Sequence, residues 1–196
     1  MQTFLTNYDL EKNASVLDNK RLFKQLLEAK QMLDCLVNNK KGWSSHPAVL
    51  QWKGCETGLY IYIQSIWKRC QKRKIAKDSK LMEQSTTIIG NFENVTLPFW
   101  WGREDIISSH KSRLLCKGFV DLLVDNLKRH VKVRKVDKYL KELYGKTKNQ
   151  FRYEDAKRLC DWFSHNNYEV TGNNHYDQFG WSESPDMDYV WPVQKT

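Results

Sequence analysis

The chain has 196 residues, with 32 Lys and Arg against 23 Asp and Glu for a formal charge of +9, and 40% apolar residues. That is material for one buried core with an appendage, and no apolar run approaches the roughly 18 residues a membrane span needs, so a transmembrane protein is excluded. The five cysteines, Cys35, Cys55, Cys70, Cys116 and Cys160, are scattered without a CxxC pair, which argues against a disulfide framework and for reduced, mostly buried thiols.

The opening MQTFLTNYDLEK has no basic region followed by an apolar stretch, so no secretory signal is expected and the chain is assigned to the cytoplasm, in the nucleoid or a host cytoplasm. From Ser15 to about Val37, Leu22, Leu26, Ala29, Leu33 and Leu36 recur at helical steps and predict one amphipathic helix, with Asn13 or Ser15 as its N-cap. Arg21, Lys24, Gln25, Glu28 and Gln31 make its opposite, polar face. Asn38, Asn39 and Gly42 end this helix. Ser45-His46-Pro47 starts a second, with Pro47 in the first turn, where proline is tolerated. Trp52, Leu59, Ile63, Ile66 and Cys70 carry that helix to about Arg73, Trp52 being read as core. Gly54 and Gly58 inside it point to close packing of another segment.

The stretch from Asn91 to Gly102 holds Pro98, Phe99, Trp100, Trp101 and Gly102 and reads as a rigid aromatic turn, a core plug in preference to a base-stacking platform. Helices are predicted again near Ser109 to Asn126, Lys132 to Tyr144 and Tyr153 to Phe163. The last segment, with Gly172, Gly180 and Pro185, reads as extended wrapping chain. Strand-period alternation is scarce. The expected fold is mainly α, a compact single-domain helical bundle with an extended C-terminal wrapping segment.

Charge is unevenly placed. Lys68, Arg69, Lys72, Arg73, Lys74, Lys77 and Lys80 form one basic run, and Lys128, Arg129, Lys132, Arg134, Lys135, Lys138 and Lys141 a second. Either run alone is an ordinary solvated helix face, but two in one basic chain favour a nucleic-acid partner. Glu169, Asp177, Glu183, Asp186 and Asp188 reverse the sign toward the C-terminus, so that segment is expected to stay away from a phosphate backbone or to compete with it. Cys160, His165 and His175 lack the paired spacing of a zinc site, and neither metal nor cofactor is expected.

Several blocks, in order, carry a resemblance: MQTFL, VLDNKRLFKQLLE (16–28), GWSSHPAVLQWKG (42–54), PFWWG (98–102), SHKSRLL (109–115) and DYVWP (188–192). Together they resemble the pyrimidine-dimer DNA glycosylase family, whose founding member is a phage UV-repair endonuclease. On that resemblance, residues 1–116 form a glycosylase-like helical core, 117–172 a basic helical insertion, and 173–196 a segment that packs back on the core. It implies an all-α, metal-independent DNA glycosylase and AP lyase acting as a monomer on double-stranded DNA, damaged or kinked.

In such an enzyme the N-terminal α-amine attacks sugar C1′ at a damaged pyrimidine through an imine. An α-amine, with an ordinary pKa of about 7.7–8, is partly neutral at physiological pH and therefore nucleophilic. The family's helix pattern, matched by Leu17 and Leu22, places the catalytic acid at Glu28, with Arg21 on the same face to orient it or hold a phosphate. Two features depart from the family. Gln2 is bulky and favours retention of the initiator, so the nucleophile is the amine of Met1; and Leu27 and Gln31 stand where the founding enzyme has arginines.

Phosphate contacts are then assigned to Lys24, His46, Lys53, His110, Lys111, Ser112 and Arg113, whose donors suit phosphate oxygens. His46 has an alternative role as a helix cap, His110 as a buried imidazole, and Lys24 with Glu28 as a plain surface ion pair. Trp191 is given a structural role. A non-catalytic DNA-binding protein on the same scaffold is the alternative function, and a metal nuclease using His46, His110 and carboxylates is a weaker one.

Overall fold

A computed structural model describes residues 2–76, 94–133 and 135–192. All the regular structure among these residues is helical. The helices are α1 (Leu10–Val16), α2 (Asn19–Val37), α3 (Pro47–Leu50), α4 (Glu56–Lys72), α5 (Glu104–Val131), α6 (Val136–Tyr144) and α7 (Tyr153–His165), with 3₁₀ turns at Lys148–Gln150 and Asp177–Phe179. The described chain divides into two compact units, residues 1–107 with 190–196, and residues 108–189.

In the first unit α4 packs against both α1 and α2, and α3 packs against α2. Leu22, Leu26, Ala29, Met32 and Leu33 of α2 meet Leu59, Tyr62, Ile63 and Ile66 of α4 in a buried core, each large side chain contributing roughly 1.5–3 kcal/mol by leaving water. Trp52 and Trp100 close one end, their rings edge-on at 5.1 Å, with the Trp100 indole N–H donating to the Gln51 carbonyl at 2.9 Å.

The helix expected as one piece from Ser15 is two. Asp9 caps α1 by accepting from the Glu11 and Lys12 amides, and Asp18 caps α2 by accepting from Arg21. Leu17 and Asp18 between them are extended, φ −68° and −64°. The carboxylates win the capping positions because ionised oxygens at a helix start satisfy orphan amides and favour the helix dipole. Asn13, predicted as a cap, sits inside α1 fully buried, and Ser15 also lies within α1. The Arg73 guanidinium braces the break, donating to the carbonyls of Ser15 and Leu17 at 2.6 and 2.5 Å.

The second predicted helix is likewise interrupted. His46 caps α3 and Pro47 opens it as expected, but Gly54 lies at φ +77° and ends the segment before α4. Gly58 does lie in α4, at the close approach its sequence position suggested: a Cβ there would stand 2.6 Å from the Thr96 carbonyl oxygen. Of the aromatic turn, Trp100 is core while Phe99 is 53% exposed; residues 91–93 lie outside the described residues, as do Lys77, Lys80 and Arg134.

The second unit has its own core. Val120, Leu123, Val124 and Leu127 of α5 pack with Leu140 of α6 and with Phe151, Leu159 and Phe163. α5 starts five residues earlier than Ser109 and runs past Asn126, and α6 starts at Val136 rather than Lys132, which has φ +53°. The stretch after α7 holds no α-helix among the described residues; it has a 3₁₀ turn at Asp177–Phe179 and further turns at 166–167, 175–176 and 185–186, so it is less uniformly extended than expected. Cys35, Cys70 and Cys116 are buried, and all five thiols are free.

Candidate active site

The site grows from a problem of the N-terminal backbone. Residues 2–6 lie outside any helix and are largely buried, so their amides and carbonyls need partners, at a cost of about 1–3 kcal/mol for each group left bare. Side chains supply them. Gln25 of α2 donates from Nε2 to the Gln2 carbonyl and accepts at Oε1 from the Phe4 amide, both at 2.8 Å. The Tyr62 hydroxyl of α4 lies 2.9 Å from both the Phe4 carbonyl and Gln25 Oε1. Asn13 accepts from the Thr6 amide at 2.7 Å and donates to the Phe4 carbonyl at 3.1 Å. Thr3 turns the other way, its Oγ1 accepting from Gln51 Nε2 at 3.0 Å and Trp52 Nε1 at 3.1 Å.

This anchoring brings the N-terminus to Glu28. The Gln2 amide donates to Glu28 Oε2 at 3.0 Å. The other oxygen, Oε1, is 3.7 Å from Lys24 Nζ; the lysine side chain is 62% exposed and the glutamate 16%. The pair is thus no symmetric surface bridge: the acid is mostly enclosed and the base stands in solvent, where the attraction itself contributes little. Met1, the expected nucleophile, lies outside the described residues.

His46 carries the field of this carboxylate. Its Nδ1 accepts from the Ala48 amide at 3.1 Å, which fixes the proton of the neutral ring on Nε2. Its pKa is pulled below the ordinary value, chiefly by burial, with Glu28 acting in the opposite direction. Trp43 and Trp191 of the YVWP block stand edge-on to the imidazole at 5.3 and 5.9 Å. Lys53 is exposed on the turn after α3.

Arg21 engages Asp18, Nη1 to Oδ2 at 2.5 Å, where it reinforces the start of α2. His110, Lys111, Ser112 and Arg113 all lie on α5 in the second unit. His110 is buried and stacked on Tyr189, its Nε2 2.6 Å from the phenol oxygen. Lys111 donates to Glu183 at 3.0 Å, with both side chains mostly enclosed. Ser112 is buried. Arg113 points to Cys116 Sγ at 3.8 Å, and burial first of all lowers its guanidinium pKa. Two of the four α5 residues assigned to phosphate, His110 and Lys111, are therefore bonded to the C-terminal stretch, at Tyr189 and Glu183. Among the described residues no group of three or more His, Cys, Asp and Glu gathers as a metal site.

The residues that sequence reasoning missed are Gln25 as a buried clamp, Tyr62, Thr3 and Gln51. Gln25 was placed on the polar face with Arg21 and Glu28, yet it is 2% exposed. The available signal was its position next to Leu26 and one turn before Ala29, at the edge of the apolar stripe; Tyr62 likewise sits within the stripe of Leu59, Ile63 and Ile66. Residues 1–83 match the family model described as pyrimidine dimer DNA glycosylase, the family to which the motifs pointed. No curated protein and no solved structure matches the chain.

Proposed function

We propose that this member of the pyrimidine dimer DNA glycosylase family, with residues 1–83 matching its model, is a glycosylase and AP lyase whose nucleophile is the amine of Met1 and whose acid is Glu28. The observation that carries this reading is the 3.0 Å hydrogen bond from the Gln2 amide to Glu28. The α-amine of residue 1 is three covalent bonds from that nitrogen, so it stays within about 4 Å of it however residue 1 turns. A nucleophile and an acid are thereby held in one place by local chain geometry.

In the reaction, the neutral amine forms a bond to C1′ while the glycosidic bond breaks and its electron pair leaves with the base, which takes up a proton. The nitrogen then loses a proton, the C1′–O4′ bond opens, and O4′ is protonated, leaving the imine. Loss of the acidified C2′ proton expels the 3′ phosphate. Glu28 stabilises positive charge on the sugar and relays the protons. Neutral His46, with its Nε2–H, donates toward the phosphate or the departing base, and Lys24 and Lys53 hold the backbone. A phosphate contact from Lys111 requires phosphate to take the place of Glu183, and one from His110 requires it to take the place of Tyr189. The substrate is double-stranded DNA at a damaged, easily unstacked site, and the protein works as a monomer in the cytoplasm.

The test is borohydride trapping on a duplex with one abasic site. A covalent adduct forms with the native N-terminus and disappears when the amine is blocked. Glu28→Gln keeps an acceptor for the Gln2 amide but removes the charge, so strand cleavage falls by about 10²–10⁴-fold with DNA affinity retained. Native protein that binds DNA and gives no adduct makes the chain a binding protein on this scaffold.

A further inference from the structure

Among the described residues no strand lies beside residues 2–6, and the Gln25 amide plays the part of one peptide unit of such a strand, pairing with the Gln2 carbonyl and the Phe4 amide. Only one orientation of the amide works, because a flip sets donor against donor and acceptor against acceptor. Tyr62 holds Gln25 Oε1 in turn. Thr3, between the paired residues, faces away to Gln51 and Trp52. A slip of one residue would exchange the two faces and strand these buried groups, and a slip of two would move the chain by about 6.6 Å. The register is therefore fixed, and with it the place of the Gln2 amide against Glu28.

We propose that Gln25, held by Tyr62, is a positioning residue that sets the register of residues 2–6 and so delivers the N-terminal amine to Glu28. This rests on the reading that the amine is the nucleophile. It predicts a coupling between clamp and chain length that a merely structural residue does not have.

The experiment is a double-mutant cycle read by the borohydride trapping rate, with DNA affinity and unfolding temperature followed in parallel. One glutamine inserted between Met1 and Gln2 retains the initiator and shifts the amine by about 3.3 Å. With Gln25 present the insertion lowers the rate by about a hundredfold, since a misplacement of about 1 Å already carries that loss. In Gln25→Leu, already slow, the same insertion costs no more than about twofold, because the register is free. Where Gln25→Leu does not fold, Gln25→Glu, which keeps the acceptor and loses the donor, takes its place with the same expectation. An insertion that costs the same factor in both backgrounds overturns the proposal. If the native protein gives no adduct at all, the reading of the reaction fails and hydrogen exchange decides the clamp separately: a Phe4 amide protected in the native protein and exposed to exchange in Gln25→Leu supports it, and an unprotected Phe4 amide overturns it.

Discussion

Glu28 and His46 show how much a single side chain depends on what encloses it. Lys24 and Glu28 are spaced as any surface i,i+4 pair, worth a few tenths of a kcal/mol; what distinguishes Glu28 is the Gln2 amide on its second oxygen. His46 has a cap that works only while the ring is neutral. Its folded pKa lies below the ordinary 6.5, so below that value the unfolded chain takes up the proton first, and stability rises with pH across the window. The contribution is complete above about 6.5 and is lost as pH falls below it. His46→Asn keeps an acceptor cap without the titration. Urea denaturation at pH 7.5 and 5.5 is expected to show the native protein losing stability relative to this variant at the lower pH; parallel losses would remove His46 from the pH response.

At the scale of elements, one device recurs. Among the described residues, non-helical segments are satisfied by side-chain amides and hydroxyls on helices. Gln25 serves Gln2 and Phe4; Thr57 accepts from the Thr96 amide at 2.7 Å; Asn126, fully buried, accepts from the Thr171 amide at 2.9 Å and donates to its carbonyl at 3.0 Å. Helix and extended chain can then meet closely without a sheet. Gly58 is part of the Thr57 contact. Ala in a helix interior ordinarily gains about 0.5–1 kcal/mol over Gly, but at this position its Cβ meets the Thr96 carbonyl. Gly58→Ala is expected to destabilise by about 1–3 kcal/mol in equilibrium denaturation, and a net gain would mean that the 94–97 segment yields.

For the whole molecule, charge and core separate into two questions. The described chain has a core in each unit, and the second basic run lies in the second unit, with Lys128 bonded to Asp125 and Arg129 to Thr171. Lys132, Lys135 and Lys138 are exposed, the last 3.7 Å from Glu142. If this run holds DNA, reversing all three to Glu weakens binding to every sequence alike and reduces the salt slope by about 0.9 for each phosphate that is no longer neutralised. Binding titrations across a salt series measure this, and an unchanged slope makes the run a solvated face. No described helix is long and apolar enough to cross a membrane.

Helical class, the apolar stripes of α2 and α4, Pro47 as a helix start and the likeness to the family model over residues 1–83 were all readable from the chain, because periodicity, proline stereochemistry and motif order are local properties. The reading of Glu28 as the acid rests on the resemblance, since its spacing to Lys24 is also that of an ordinary ion pair. The break at Leu17–Asp18 was missed because stripe periodicity continues across it and Asp18 outcompetes Asn13 and Ser15 as a cap. The burial of Gln25 and the engagement of His110 and Lys111 by Tyr189 and Glu183 were decided by tertiary structure. The partners of Lys111 and His110 lie 72 and 79 residues away, and a helix face gives its own spacing but not which distant backbone or carboxylate will cover it.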